Sequence, residues 1–335
     1  MADDYLWDPA ADPDPEIAKL EELVAPAGYR RAPFRGGRAM PRRLHLARWA
    51  AVAAVLVAAV ATVSRMRHVA AAPWAVVTSR GTPVVRDASG AISGESLVRG
   101  GVLETDSRSE AVLNVGRIGR ARLGPGSRLR LVSSGATENR LALDRGTMHA
   151  SVTAPPHYFL VETAGALAVD LGCVYTITTD VHGAGLLTVQ EGEVELQRGT
   201  VRSSVLAGNA ASLSANGPGL PHPVDASPAL ERAVAAYDAD PARPAALDDL
   251  LAASDSRTTI TLWHLLQRVD STDRGRVFDR LAAIAPPPRT VTRDRILRGE
   301  SGALQRWRTD LQRSWATEPP LWRRMLLTLD LTFGR

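Results

Sequence analysis

The chain has 335 residues, and 40 basic against 36 acidic side chains leave a formal net charge of +4. Hydrophobic residues make up 45%, an ordinary share for globular material, and the length suffices for two folded domains. The single cysteine, Cys173, excludes an intramolecular disulfide and any cysteine-cluster metal site.

Charge is segregated along the chain. Residues 1–29 form an acidic tail that opens on Asp- and Pro-rich sequence. Within it, Glu16–Val24 carries Ile17, Leu20, Leu23 and Val24 at helical spacing, so one face of a short helix is apolar. Asp14 is placed to cap that helix, and Glu16 suits its first turn. A lone helix of this length is marginal in water and needs something to cover its face. A docking peptide for a cytoplasmic partner is one reading; a segment that lies on the membrane or stays disordered is the other. Residues 30–48 form an Arg-rich linker punctuated by Pro33, Gly36, Gly37 and Pro41. Phe34 is the one Phe, Tyr or Trp among those arginines, so the collar suits anionic lipid better than nucleic acid.

Residues 49–64 are the long uncharged run, bounded by Arg48 and Arg65. As a helix at ~1.5 Å per residue the run falls short of the ~30 Å hydrocarbon core. Leu44 and Leu46 extend it, and the stems of Arg48 and Arg65 reach toward the headgroups. The expectation is one transmembrane helix. The competing readings are a buried helix of a soluble domain, a chance run in a linker, and a cleaved leader ending near Ala70–Ala72. Against the leader stand the long preceding region and Pro73 after the cut. Basic residues crowd the upstream side, at Arg30, Arg31, Arg35, Arg38, Arg42, Arg43 and Arg48. Only Arg65 and Arg67 lie close downstream. That bias predicts a cytoplasmic N-terminus and an exported C-terminal part, periplasmic in a bacterial inner membrane.

Residues 74–216 change character. Short alternating runs recur between Gly, Asp, Ser and Pro, as in Glu110–Val115, Arg128–Leu131, Arg140–Leu143, Val174–Thr179, Leu186–Gln190 and Glu193–Leu196. Period two with turn punctuation predicts an all-β domain, an antiparallel sandwich or an elongated stack of β-layers. The expected core is Leu129, Leu131, Leu141, Leu143, Met148, Val152, Phe159, Val161, Val169, Leu171, Ile177, Val189, Val194 and Leu196. Residues 217–227, rich in Gly and Pro, are expected to be a linker. Residues 228–335 predict an α-helical domain, with helical spacing over Leu230–Tyr237, Ala245–Ala253, Thr258–Val269, Arg274–Ile284, Ser301–Trp315 and Leu321–Leu331. Pro286–Pro288 forms a hard break.

The sequence contains no nucleophile elbow, phosphate-binding loop, zinc-protease helix or dinucleotide fingerprint. The seven histidines are scattered without a ligand partner at useful spacing. Glu191, Glu193 and Glu195 alternate with Val194 and Leu196 and are expected on a solvated strand face. The Trp263 and His264 pair, with Leu262, Leu265, Leu266 and Trp307, reads as helical core rather than a partner groove. No enzymatic activity, cofactor, metal or direct nucleic-acid contact is expected.

One ordered series of segments carries a resemblance. It runs Leu103-Glu-Thr-Asp106, Ser109-Glu-Ala-Val-Leu113, Leu123-Gly-Pro-Gly-Ser-Arg-Leu-Arg-Leu131 and Leu141-Ala-Leu-Asp-Arg-Gly-Thr-Met-His-Ala150. It continues through Phe159-Leu-Val-Glu-Thr163, Val169-Asp-Leu-Gly-Cys-Val-Tyr175 and Val189-Gln-Glu-Gly-Glu-Val194. The series resembles the FecR domain of transmembrane sensors. The resemblance implies an inner-membrane regulator whose cytoplasmic tail binds an extracytoplasmic-function sigma factor and whose β-domain meets a periplasmic partner or signal. Ile17, Leu20, Leu23 and Val24 would be the docking face. The chain departs from iron-uptake members in following the β-domain with helices. Some members of the family cleave themselves at a Gly–Thr bond near the position of Gly172 and Cys173. A thiol here would support the analogous N-to-S shift, against the alternative of a small buried strand residue. A non-enzymatic envelope protein that binds a periplasmic component through both exported domains is the other reading of the whole.

Overall fold

A computed structural model of the chain describes residues 73–315, apart from 116, 117 and 136, together with Lys19, which is helical and exposed. The strands and helices described below lie in one compact unit, residues 67–335. The expected tail face, Arg-rich linker and membrane span 49–64 lie outside the described residues, as does the expected helix Leu321–Leu331. Among the described residues no helix is long and apolar enough to cross a membrane.

The all-β part is built of two sheets that share one long strand. The first sheet runs β1 (Trp74–Arg80), β5 (Glu110–Val115), β6 (Gly119–Leu123), the second half of β8 (Asn139–Val152), β11 (Val174–Thr179), β12 (Gly185–Glu191) and β15 (Asn209–Ser214). The second runs β2 (Val84–Arg86), β4 (Val102–Glu104), β7 (Arg128–Ser134), the first half of β8, β9 (Phe159–Glu162), β10 (Leu167–Asp170), β13 (Glu193–Arg198) and β14 (Val201–Leu206). A two-residue strand, β3 (Ser96–Leu97), pairs with the start of β1. Pairing is antiparallel except between β8 and β9.

The alternation read from the sequence is what the strands bury. β5 alternates half-buried and buried residues along its length. One apolar core takes Leu113, Leu123, Met148 and Ile177 from the first sheet and Leu103, Leu131, Phe159 and Leu196 from the second. Of the core candidates only Leu171 is half-buried, because it lies in the turn after β10 rather than on a strand. On the outer face of the second sheet, Arg130 forks onto Asp144 at 2.9 Å and Arg140 meets Glu162 at 2.7 Å. Such exposed cross-strand pairs stabilise modestly.

Gly146 sits inside β8 where the strand passes from one sheet to the other. Its φ of 99° is open to glycine and strained for other residues, and a Cβ there would run into Ser127. Residues 217–227 are not a free linker. They hold β16 (Gly217–Pro218) and β17 (His222–Pro223), both paired with β15, and bury Leu220 completely.

Within residues 73–315 the helices are α1 (Pro228–Ala239), α2 (Pro244–Ala253), α3 (Thr259–Arg268), α4 (Ser271–Ile284), α5 (Arg293–Leu297) and α6 (Ser301–Trp315). Ser227 caps α1 by accepting from the Leu230 amide, with Pro228 at the first position. Asp270 caps α4 through the amides of Thr272 and Asp273 at 2.8 and 3.0 Å. Trp307 is fully buried, edge-on to Trp263 and Phe278 with ring centroids 6.2 and 5.1 Å away. Leu220 belongs to this helical core, and Thr261 Oγ1 donates to the Pro221 carbonyl at 2.7 Å. The strand segment therefore enters the helical layer and is held there.

Candidate functional site: the Gly172–Cys173 turn

β10 belongs to the second sheet and β11 to the first, so Leu171, Gly172 and Cys173 carry the chain from one to the other in three residues. A turn that short needs a left-handed residue, and Gly172 supplies it with φ 88°. Asp170 closes the turn: its Oδ1 accepts from the Gly172 amide. The Cys173 Sγ lies 3.1 Å from the same oxygen and 2.7 Å from the Glu193 carbonyl, so one thiol proton has two acceptors. The Cys173 carbonyl accepts from the Val152 amide at 3.0 Å, which fixes the residue against β8. Tyr175 stands two residues on, fully buried, and its hydroxyl meets no hydrogen-bond partner among the described residues.

Asp170, Cys173 and Tyr175 are each at most 1% exposed. Burial, then the charge of Asp170, pushes the Cys173 thiol well above its ordinary range. The same two causes, with a further contribution from Cys173, raise Tyr175. The resting species is a protonated thiol that donates a hydrogen bond. In an N-to-S shift the sulfur would attack the Gly172 carbonyl carbon, the thiol proton would pass to a base, and the Gly172–Cys173 amide would break as its nitrogen gained a proton. Asp170 is placed to take that proton. Burial opposes the attack, since the thiolate is the nucleophile, and it also keeps out the water that would hydrolyse the thioester. The geometry is that of a thiol used to satisfy buried acceptors.

The structure brings Gly172 and Cys173 together with Asp170 and Tyr175, and does not describe Ile17, Leu20, Leu23 or Val24. The part played by Asp170 was legible only as an acid three positions before the cysteine across a glycine. Glu191, Glu193 and Glu195 are half-buried rather than fully solvated, and Glu195 pairs with Arg202 at 2.6 Å. Among the described residues no group of three or more His, Cys, Asp or Glu is placed to hold a metal ion.

No family model matches this chain, and no curated protein does. Among solved structures, two crystal structures of a protein from Parabacteroides distasonis ATCC 8503, provisionally described as an anti-sigma factor, show partial likeness. The first aligns over 36% of this chain and 59% of its own, at 16% identity and a TM-score of 0.33. The second aligns over 41% and 63%, at 16% identity and a TM-score of 0.34. The chain thus spans about three-fifths of those neighbours. A likeness of that grade transfers neither fold nor activity.

Proposed function

We propose that this chain is a single-pass, FecR-like signal transducer of a bacterial inner membrane. It acts without enzymatic turnover and regulates an extracytoplasmic-function sigma factor through its cytoplasmic tail. The observation that carries the reading is the ordered FecR-like series, whose segments fall in sequence on β4 to β13 of the β-part. The Arg-flanked run 49–64 and the upstream excess of arginine support the topology. The apolar face of Ile17, Leu20, Leu23 and Val24 supports a helical docking peptide, the mode in which an amphipathic helix fills a partner's groove.

The test is a pull-down from native membranes with a peptide of residues 1–45, against the same peptide carrying Leu20→Asp and Leu23→Asp. Recovery of a sigma factor by the first peptide alone is the expected result. Recovery by both, or by neither, removes the docking face from the proposal.

A second reading makes the chain an envelope-binding protein whose tail docks nothing. It is favoured by the way Leu220 and Thr261 lock the strands and helices into one body, as a binding platform requires. Failure of both peptides shifts weight to it.

A further inference from the structure

A cleft of about 680 Å³ opens where β13–β16 meet α1, α3 and α6. Its walls carry charge of both signs, and the pairing is uneven. Arg202 is neutralised by Glu195 at 2.6 Å. Asp238 is held from behind: Ser212 Oγ donates to it at 2.8 Å and the Leu220 amide at 3.0 Å. Burial raises the pKa of that carboxyl, while the nearby Arg268 works the other way.

Two guanidiniums are left without a carboxylate in contact. Arg268 Nη2 donates to the carbonyls of Arg202 and Gly219 at 3.3 and 3.2 Å and to the Ser203 hydroxyl, all neutral oxygens. Arg308 Nη2 reaches only the Ser204 hydroxyl, at 3.4 Å, and no ion pair is formed by either arginine among the described residues. Between them on α3 lies His264, buried, whose pKa is pushed down to about 3 by burial first and then by the charges of Arg268 and Arg308. Its imidazole is therefore neutral and adds no competing positive charge. The indole of Trp263 lines the same wall. Both arginines are half-buried; Arg268 feels the charge of Asp238, whereas Arg308 has no acidic partner among the described residues. A guanidinium with free donors is matched by an oxyanion, to which it offers parallel hydrogen bonds.

We infer that this cleft is a binding site for a small organic oxyanion, a carboxylate or a phosphate, anchored by Arg308 and backed by Arg268. The cleft volume is in the range of ligand pockets. The inference is independent of where in the cell the chain resides and of what its tail binds.

The test uses the purified full chain and calorimetric titration at constant ionic strength. Inorganic phosphate and citrate are the two probes and chloride is the control. Saturable binding of at least one oxyanion is expected, and whichever binds identifies the source of the charge. Arg308→Gln should weaken it roughly tenfold or more, the scale of one lost charge-assisted contact. Arg308→Lys keeps the charge but not the fork and should fall between. Arg306→Gln, on the same helix but exposed and outside the cleft, should leave affinity unchanged. Absence of saturable binding of both probes, or equal affinity in the native chain and Arg308→Gln, overturns the proposal.

Discussion

At the scale of single residues, two buried groups set measurable chemistry. Cys173 is a protonated thiol enclosed by Asp170 and the Glu193 carbonyl. It should resist alkylation at pH 8 in the native chain and react once urea exposes it. A mass spectrum of the purified chain should show one intact species. A fragment beginning at Cys173 would establish self-cleavage at Gly172–Cys173 and overturn the packing role. His264 gives a pH dependence. Its folded pKa, about 3, lies below the ordinary 6.5. Between those values the unfolded chain binds the extra proton, so this group's contribution to stability is present above pH 6.5 and is lost as pH falls toward 3. At pH 5 the loss is about 2 kcal/mol relative to pH 7. Urea unfolding at the two pH values should show His264→Gln losing less on acidification than the native chain by about that amount. Equal losses would mean that the imidazole is not held neutral.

At the scale of elements, β8 is the strand on which both sheets depend, and Gly146 is the position that lets it bend. Gly146→Ala places a Cβ against Ser127 at a left-handed φ. The backbone penalty and the overpacking together should cost roughly 2–4 kcal/mol. The expected readout is a lowered urea midpoint with an unchanged slope. A midpoint within error of the native value would show that the bend tolerates a side chain. Elements also mark what the sequence reveals. Leu129, Leu131, Leu141 and Leu143 declare their strands because one face is apolar at period two and the strands are long enough to repeat it. β2, β3 and β4 are two or three residues long and cannot display a period, although each buries a core residue, Val85, Leu97 and Leu103. α5, five residues after the Pro286–Pro288 break, escapes notice for the same reason.

At the scale of the molecule, the division into a β-part and a helical part is visible in the change from period two to helical spacing. The junction is not. Gly and Pro in residues 217–227 suggest a flexible joint, yet Leu220 is a core residue of the helical layer. Leu220 and Val224 are separated by prolines, so the stretch shows no period that would mark Leu220 as buried. The oxyanion cleft is likewise dispersed: its residues run from Glu195 to Arg308, and each is an unremarked polar position of its own element. Only the meeting of strands with α1, α3 and α6 places them together.

The sharing of β8 has a consequence for how the β-part can open. Its first seven residues pair with β7 and β9, and its last seven with β6 and β11. Cooperative units of a protein usually follow boundaries across which few bonds run, and here the one covalent strand spans the boundary. Neither sheet is free to melt while the other stays, so amide protons on both halves of β8 exchange through the same rare event.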